Sequence, residues 1–147
     1  MKLRPASHFD AEAIAAIYAP YVRDSAVTFE LTPPSASDFA TRITTVQSYA
    51  PWLVCELDGQ IAGYAYAAKH REREAYQWSV EPSVYIADAH HRKGVARALY
   101  AELFRQLRAQ GFQNAYAGIT LPNDASVALH ESFGFRHLGT YTSIGYK

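Results

Sequence analysis

Residues 83–97 read Ser83-Val84-Tyr85-Ile86-Ala87-Asp88-Ala89-His90-His91-Arg92-Lys93-Gly94-Val95-Ala96-Arg97. An apolar strand pattern runs into a basic turn, and the turn opens a helix. Val95, Leu99, Leu103, Phe104 and Leu107 form that helix's apolar stripe, and Gly111 is placed to end it. This arrangement suits an anion. Backbone N–H groups at a helix start have no helical partner, and the helix dipole favours negative charge there. Gly94 and Ala96 let a pyrophosphate approach the backbone closely, while Arg92, Lys93 and Arg97 add positive charge. The stretch lacks Gly-x-x-x-x-Gly-Lys-Ser/Thr and Gly-x-Gly-x-x-Gly, which argues against a P-loop and a dinucleotide fold. A surface turn with a glycine and some basic residues is the plain alternative.

Outward from this stretch, elements of both kinds interleave. Lys2 to Pro5 predicts a short first strand. Ser7 and Asp10 suit a helix start, followed by Ile14, Ile17, Tyr18 and Tyr21 at helical spacing. Asp38 to Ser48 predicts a second helix. Trp52 to Leu57 and Gln60 to Ala68 predict a hairpin around Asp58-Gly59. Trp78 to Ile86 predicts a strand bulged or unpaired near Pro82, because proline removes a ladder donor. Gly94 to Gln110 is the strongest helix. Gln113 to Thr120 predicts a strand, Asn123 to Phe133 a short helix closed by Gly134, and Arg136 to Tyr146 a last strand. The class is α/β (α+β), one domain over residues 1–147 with a single central sheet.

The composition narrows the function classes. Lysine and arginine number 14 and so do aspartate and glutamate, so no basic excess points to nucleic acid. No segment approaches the ~20 apolar residues that cross a bilayer, and the N-terminus lacks a signal-peptide core. Cys55 is the single cysteine, so no disulfide forms within the chain and a reducing cytoplasm is expected.

A second constellation, Leu121-Pro122-Asn123-Asp124-Ala125-Ser126-Val127-Ala128-Leu129-His130-Glu131-Ser132-Phe133-Gly134-Phe135, follows one helix and one strand later. Here the chain resembles the GNAT superfamily of acetyl-CoA-dependent N-acetyltransferases, and within it the phosphinothricin N-acetyltransferase family. The resemblance covers almost the whole chain. Its further marks are Thr28-Phe29-Glu30, Tyr49-Ala50-Pro51-Trp52-Leu53-Val54, Gly63-Tyr64-Ala65-Tyr66, Val80-Glu81-Pro82-Ser83-Val84-Tyr85 and the loop from His91 to Ala96. The superfamily loop usually begins with Gln or Arg, where this chain has His91. Family members usually continue past Gly145-Tyr146-Lys147 into one more strand.

The resemblance implies a mostly antiparallel mixed sheet splayed between two strands, with helices on both faces, and a homodimer. It implies acetyl transfer from acetyl-CoA to the primary amine of a small acceptor of the phosphinothricin, methionine sulfoximine or methionine sulfone type. A polyamine or peptide acceptor, or a non-catalytic acyl-CoA-binding module, stands as the alternative. Acetyl-CoA would be held by His91, Arg92, Lys93, Gly94, Val95, Ala96 and Arg97 of the loop. Backbone groups of Val84, Tyr85 and Ile86 would pair with the pantetheine arm, and Asn123 and Ser126 stand at the next helix start. Asn123 also reads as an ordinary helix cap.

Direct transfer needs a base for the amine and a donor or stabiliser for the departing thiolate. Glu81, on the strand leading to the loop, matches the family's proposed general base. A strand-edge carboxylate paired to an arginine is its alternative. His130 occupies the place where many GNAT enzymes carry the tyrosine that protonates CoA, and it reads equally as a structural histidine. Phe29, Glu30, Arg73, Tyr76 and Trp78 are candidates for the acceptor pocket. Cys55 reads as a small core residue. His8, His70 and His137 carry no assigned role. The His90-His91 pair lacks a third ligand at useful spacing, so no metal is expected.

Overall fold

The computed structural model describes Met1–Lys147. Five strands form one sheet in the order β1 (Lys2–Pro5), β2 (Trp52–Leu57), β3 (Gln60–Lys69), β4 (Ser79–Ile86) and β5 (Asn114–Ala115). Neighbours are antiparallel except β4 and β5, which run parallel. Four helices accompany the sheet: α1 (Ala11–Asp24), α2 (Ala36–Gln47), α3 (Val95–Ala109) and α4 (Asp124–Ser132).

Strand alternation explains the two layers. On one face, Tyr64 meets Phe39 of α2 and Tyr85 of β4, while Tyr85 meets Tyr18 and Tyr21 of α1. Trp52 stacks on Tyr66 across the β2–β3 pair, with centroids 4.2 Å apart. On the other face, Gly63 and Ile86 lie under Val95 of α3. Leu99, Leu103 and Leu107 of that helix are buried, as the stripe requires. Cys55 is fully buried, and burial pushes its thiol up, so it behaves as the expected core residue.

Local chemistry sets the helix starts. The Ser7 backbone N–H donates to Asp10 at 2.8 Å, and Arg4 donates twice to the same carboxylate at 2.8 Å. A single 3₁₀ turn over His8–Asp10 therefore precedes α1. Ser35 and Asp38 cap α2 reciprocally, which starts that helix two residues before the expected Asp38.

Three expectations change. Pro82 causes no bulge: it sits in continuous register opposite Ala67, and the irregularity falls at Cys55/Glu56 instead. The reason is parity. Ser79 O accepts from the His70 N–H and Ala87 N–H donates to Ala62 O, so odd residues of this segment bond to β3. Even residues face the β5 side, where Pro82 gives up no ladder bond. Second, the strand expected over Gln113–Thr120 shrinks to Asn114–Ala115, because the last bond to β4 is Tyr116 N–H to Val80 O at 2.9 Å. Third, Arg136–Tyr146 forms no strand. That segment finds no backbone partner, and Leu138, Tyr141, Ile144 and Tyr146 are exposed. Lys147 instead donates to the Thr28 carbonyl at 2.9 Å, bringing the chain end across the loop after α1.

Gly63 of β3 packs tightly beneath β4 and α3. An added Cβ there would stand 2.6 Å from Ile86 Cδ1 and 2.9 Å from the Tyr85 carbonyl oxygen. The expected result for Gly63→Ala is a loss of about 1–3 kcal/mol of stability, read by denaturant unfolding.

Candidate active site

The site is built on the gap between β4 and β5. The strands share only the pairs Ser79–Asn114 and Val80–Ala115 before they separate. The cleft that follows is lined on one side by Pro82, Ser83, Val84 and Tyr85, and on the other by Gly118, Ile119 and Thr120. Tyr100, Asn123, Ser126 and His130 close it.

Parity decides which backbone groups enter the cleft. Val84 and Ile86 turn their amides and carbonyls away from β3, toward the gap. The Ile86 carbonyl accepts from the Tyr21 hydroxyl at 2.7 Å and lies 3.2 Å from His91 Nε2. Val84 therefore offers both groups of an unpaired strand position, which an amide-bearing chain can use as a further strand would. Tyr85, expected to do the same, pairs with Tyr64 and has its backbone committed to β3. Its ring packs among Tyr18, Tyr21 and Tyr64.

The basic turn takes the geometry its sequence predicts. Arg92 has φ 60° and Gly94 φ 78°, so left-handed residues curl the backbone before α3. The first bond of the helix is Ala98 N–H to Gly94 O at 3.0 Å. The N–H groups of Val95, Ala96 and Arg97 thus have no helical acceptor and suit a pyrophosphate. Arg92 and Lys93 are exposed and make no ion pair. The Arg97 side chain turns to α4, donating to Ser132 at 3.0 Å and lying over the Phe133 ring. Its guanidinium fastens α3 to α4, and only its amide faces the turn. His91 likewise points inward, 3.1 Å from the Tyr21 hydroxyl.

Asn123 caps α4 by accepting from the Ser126 N–H at 3.2 Å, and both line the cleft. His130 is buried. Its Nδ1 lies 2.7 Å from the Ser126 carbonyl and its Nε2 3.1 Å from the Tyr100 hydroxyl. A carbonyl only accepts, so Nδ1 carries the proton and donates. Burial holds the ring below the usual imidazole range, partly opposed by the Ser126 bond. The neutral ring's Nε2 then accepts from Tyr100. Sequence reasoning passed over Tyr100, which looks like one more apolar-stripe residue of α3. Burial pushes its hydroxyl above the ordinary tyrosine range, so it keeps its proton.

The remaining candidates do not gather in one place. Glu81 precedes the cleft wall on β4, with its side chain 45% exposed and 3.4 Å from His70 Nδ1. The arginine partner considered for Glu81 is absent. Glu30 is fully engaged: Arg42 donates to it at 2.6 and 3.0 Å, and Tyr18 at 2.6 Å. The Arg42 bonds hold its carboxyl below the usual range. It pins the loop after α1, so Phe29 stays half exposed beside Gly145. Tyr76 packs near His70, Arg73 is exposed, and Trp78 packs on Phe112 beside Gly111. None of these six, Glu81 included, lines the cleft. No cluster of three metal-binding side chains is present, and no helix is long and apolar enough to cross a membrane.

Comparison with known proteins agrees with this geometry. The family pattern described as an acetyltransferase (GNAT) domain matches residues 3–147. The chain is 40% identical to a phosphinothricin N-acetyltransferase of Streptomyces viridochromogenes, over 100% of this chain and 80% of that protein. It is 32% identical to an L-methionine sulfoximine/L-methionine sulfone acetyltransferase of Pseudomonas aeruginosa, over 99% and 86%. A crystal structure of a GNAT phosphinothricin acetyltransferase from Sinorhizobium meliloti in complex with AcCoA superposes with TM-score 0.95 at 36% identity, covering 99% of this chain and 80% of that one.

The buried neutral His130 has a consequence for stability. Its value is depressed in the fold, so below about pH 6.5, the ordinary imidazole value, the unfolded chain binds the extra proton more readily. Stability present above that pH is lost as pH falls. The melting temperature of the wild type is expected to drop more steeply between pH 7.5 and 5.5 than that of His130→Asn. Equal slopes would mean that the ring charges freely in place.

Proposed function

The chain belongs to the GNAT acetyltransferase family, and from that premise we propose how this acetyl-CoA-dependent N-acetyltransferase uses its cleft and which amine it takes. The acceptor is a small amino-acid-like molecule of the phosphinothricin, methionine sulfoximine or methionine sulfone type. That reading is supported by likeness over the whole chain to enzymes bearing those names.

The observation that carries the binding mode is the unpaired Val84 position facing the cleft, in line with the free N–H groups of Val95, Ala96 and Arg97. Acetyl-CoA supplies an activated acetyl thioester. The turn from His91 to Arg97 binds its pyrophosphate, Val84 orients its amide-bearing arm, and the Asn123–Ser126 helix start borders the same cleft. The family resemblance assigns Asn123 a second bond, to the cofactor, beside its capping role. Closing this path between β4 and β5 keeps water from the thioester.

Glu81 is the general base. The acceptor arrives as an ammonium, its N–H bond breaks, and the proton passes to the Glu81 carboxylate. The nitrogen lone pair then attacks the thioester carbonyl carbon, the N–C bond forms as the C–S bond breaks, and the nitrogen's surplus proton passes to the departing sulfur. His130 acts through Tyr100: its Nε2 holds the Tyr100 hydroxyl at the cleft wall until the single phenolic proton turns from Nε2 to the departing sulfur. In this assignment His130 is a positioning residue, and Tyr100 touches the reacting atoms. Phe29 and Tyr76 stand as acceptor contacts on the outer side of the sheet.

The reading extends to a homodimer in a reducing cytoplasm. The first rests on the family resemblance and the second on the single buried Cys55. Residues 1–147 are read as one domain, with the open edge beyond Ala115 as the place where a further strand would add.

A thiol-release assay tests the acceptor. Acetyl-CoA would be offered with phosphinothricin, methionine sulfone, a polyamine and a short peptide in separate reactions. Release with the amino-acid analogues alone is expected, and release only with polyamine or peptide would replace this acceptor class. A rise in melting temperature with acetyl-CoA but no release would instead favour a non-catalytic module.

The Tyr100 assignment has its own check. Tyr100→Phe is expected to lower kcat by roughly 100-fold, and His130→Asn by less, with the thermal shift from CoA retained in both. The reverse order would return the direct role to His130.

A further inference from the structure

His70 follows β3, where the chain leaves the sheet. Its backbone N–H donates to the Ser79 carbonyl at 3.4 Å, which fixes it at the end of the β3–β4 ladder. Its ring is held between Tyr116, at a centroid distance of 5.0 Å, and Tyr76, at 5.8 Å. Nδ1 is buried and makes no well-aligned hydrogen bond, yet Glu81 Oε2 lies 3.4 Å from it.

The surroundings leave Glu81 no other cationic partner. Lys69 sits 3.9 Å from Glu72 and over the Tyr49 ring. The Arg71 guanidinium lies over the Tyr76 ring. The imidazole is therefore the one charged or hydrogen-bonding side chain within ion-pair reach of the Glu81 carboxylate.

We propose that His70 is a positioning residue for the acetyl transfer: its Nδ1–H holds one oxygen of Glu81, so that the other meets the acceptor ammonium. The proposal rests on Glu81 being the general base. A glutamate side chain that is nearly half exposed loses rotamer freedom when it is ordered for reaction. A donor clamped between two tyrosines and 3.4 Å from that oxygen supplies the order once the two align, and alignment of this kind governs rate steeply. Proton bookkeeping is simple. The ammonium N–H bond breaks, a Glu81 O–H bond forms, and His70 keeps its own proton throughout.

Two substitutions separate alignment from packing. His70→Phe keeps an aromatic ring between Tyr76 and Tyr116 but removes the donor. His70→Asn keeps an N–H near the place of Nδ1 but removes most of the ring. The expected result is a kcat lower by roughly 10–100-fold in His70→Phe, with KM for acetyl-CoA unchanged, and recovery of most of kcat in His70→Asn. In a Glu81→Gln background, His70→Phe should cause no further loss. Unchanged kcat in His70→Phe, or a His70→Asn enzyme slower than His70→Phe, overturns the proposal and leaves only a packing role. Unchanged turnover in Glu81→Gln alone overturns the base assignment and this inference with it. A large Glu81→Gln loss beside a fully active His70→Phe overturns only the inference. Melting temperatures of all four proteins, with and without acetyl-CoA, show that each is folded and binds the cosubstrate.

Discussion

The site depends on one constraint: β4 is bonded on one edge and left open on the other. Antiparallel pairing uses every second residue, so the odd positions from Ser79 through Ala87 are consumed by β3. The even positions point the other way. Trp78 and Val80 still meet the segment around β5, and past them no strand arrives. A free strand edge inside a domain is normally a liability. Here it lines a cleft that α4 and the segment Gly118–Thr120 face from the other side.

That constraint orders the other features. Pro82 stands at the even position that opens the cleft, where its missing N–H breaks no bond to β3. Tyr21 takes the Ile86 carbonyl at the far end, so the gap is capped as well as opened. The turn after β4 then curls through left-handed Arg92 and Gly94, and α3 begins with its free amides aimed outward. The free amides of the turn thus follow directly in the chain on the open edge of β4. Polar groups that look catalytic in sequence do not share one place. His130 and Tyr100 line the cleft, whereas Glu81 and His70 stand outside its lining.

Burial sorts their roles further. His130 has both ring nitrogens occupied and is held neutral, so it orders a neighbour more readily than it delivers a proton. Glu30 is tied down by Arg42 and Tyr18, so it shapes a loop. Glu81 keeps a half-exposed carboxylate with only an imidazole beside it.

The amino-acid sequence alone determined the alternation of elements, the buried stripe of α3, the anion-binding turn and the family, because each is written in short-range spacing or local motif. The helix start at Asn123, the hairpin at Asp58-Gly59 and the core position of Cys55 were legible for the same reason. Tertiary structure alone decided that Tyr85 is committed to β3 while Val84 is free, since ladder parity depends on register. It decided that Arg136–Tyr146 stays unpaired, since a strand exists only beside a partner. It also decided that Tyr100 lies against His130 and His70 beside Glu81. Both are joined to their partners, His130 and Glu81, across separations of 30 and 11 residues, which no periodicity encodes. Local pattern is set by neighbours in the chain, whereas a site is set by neighbours in space.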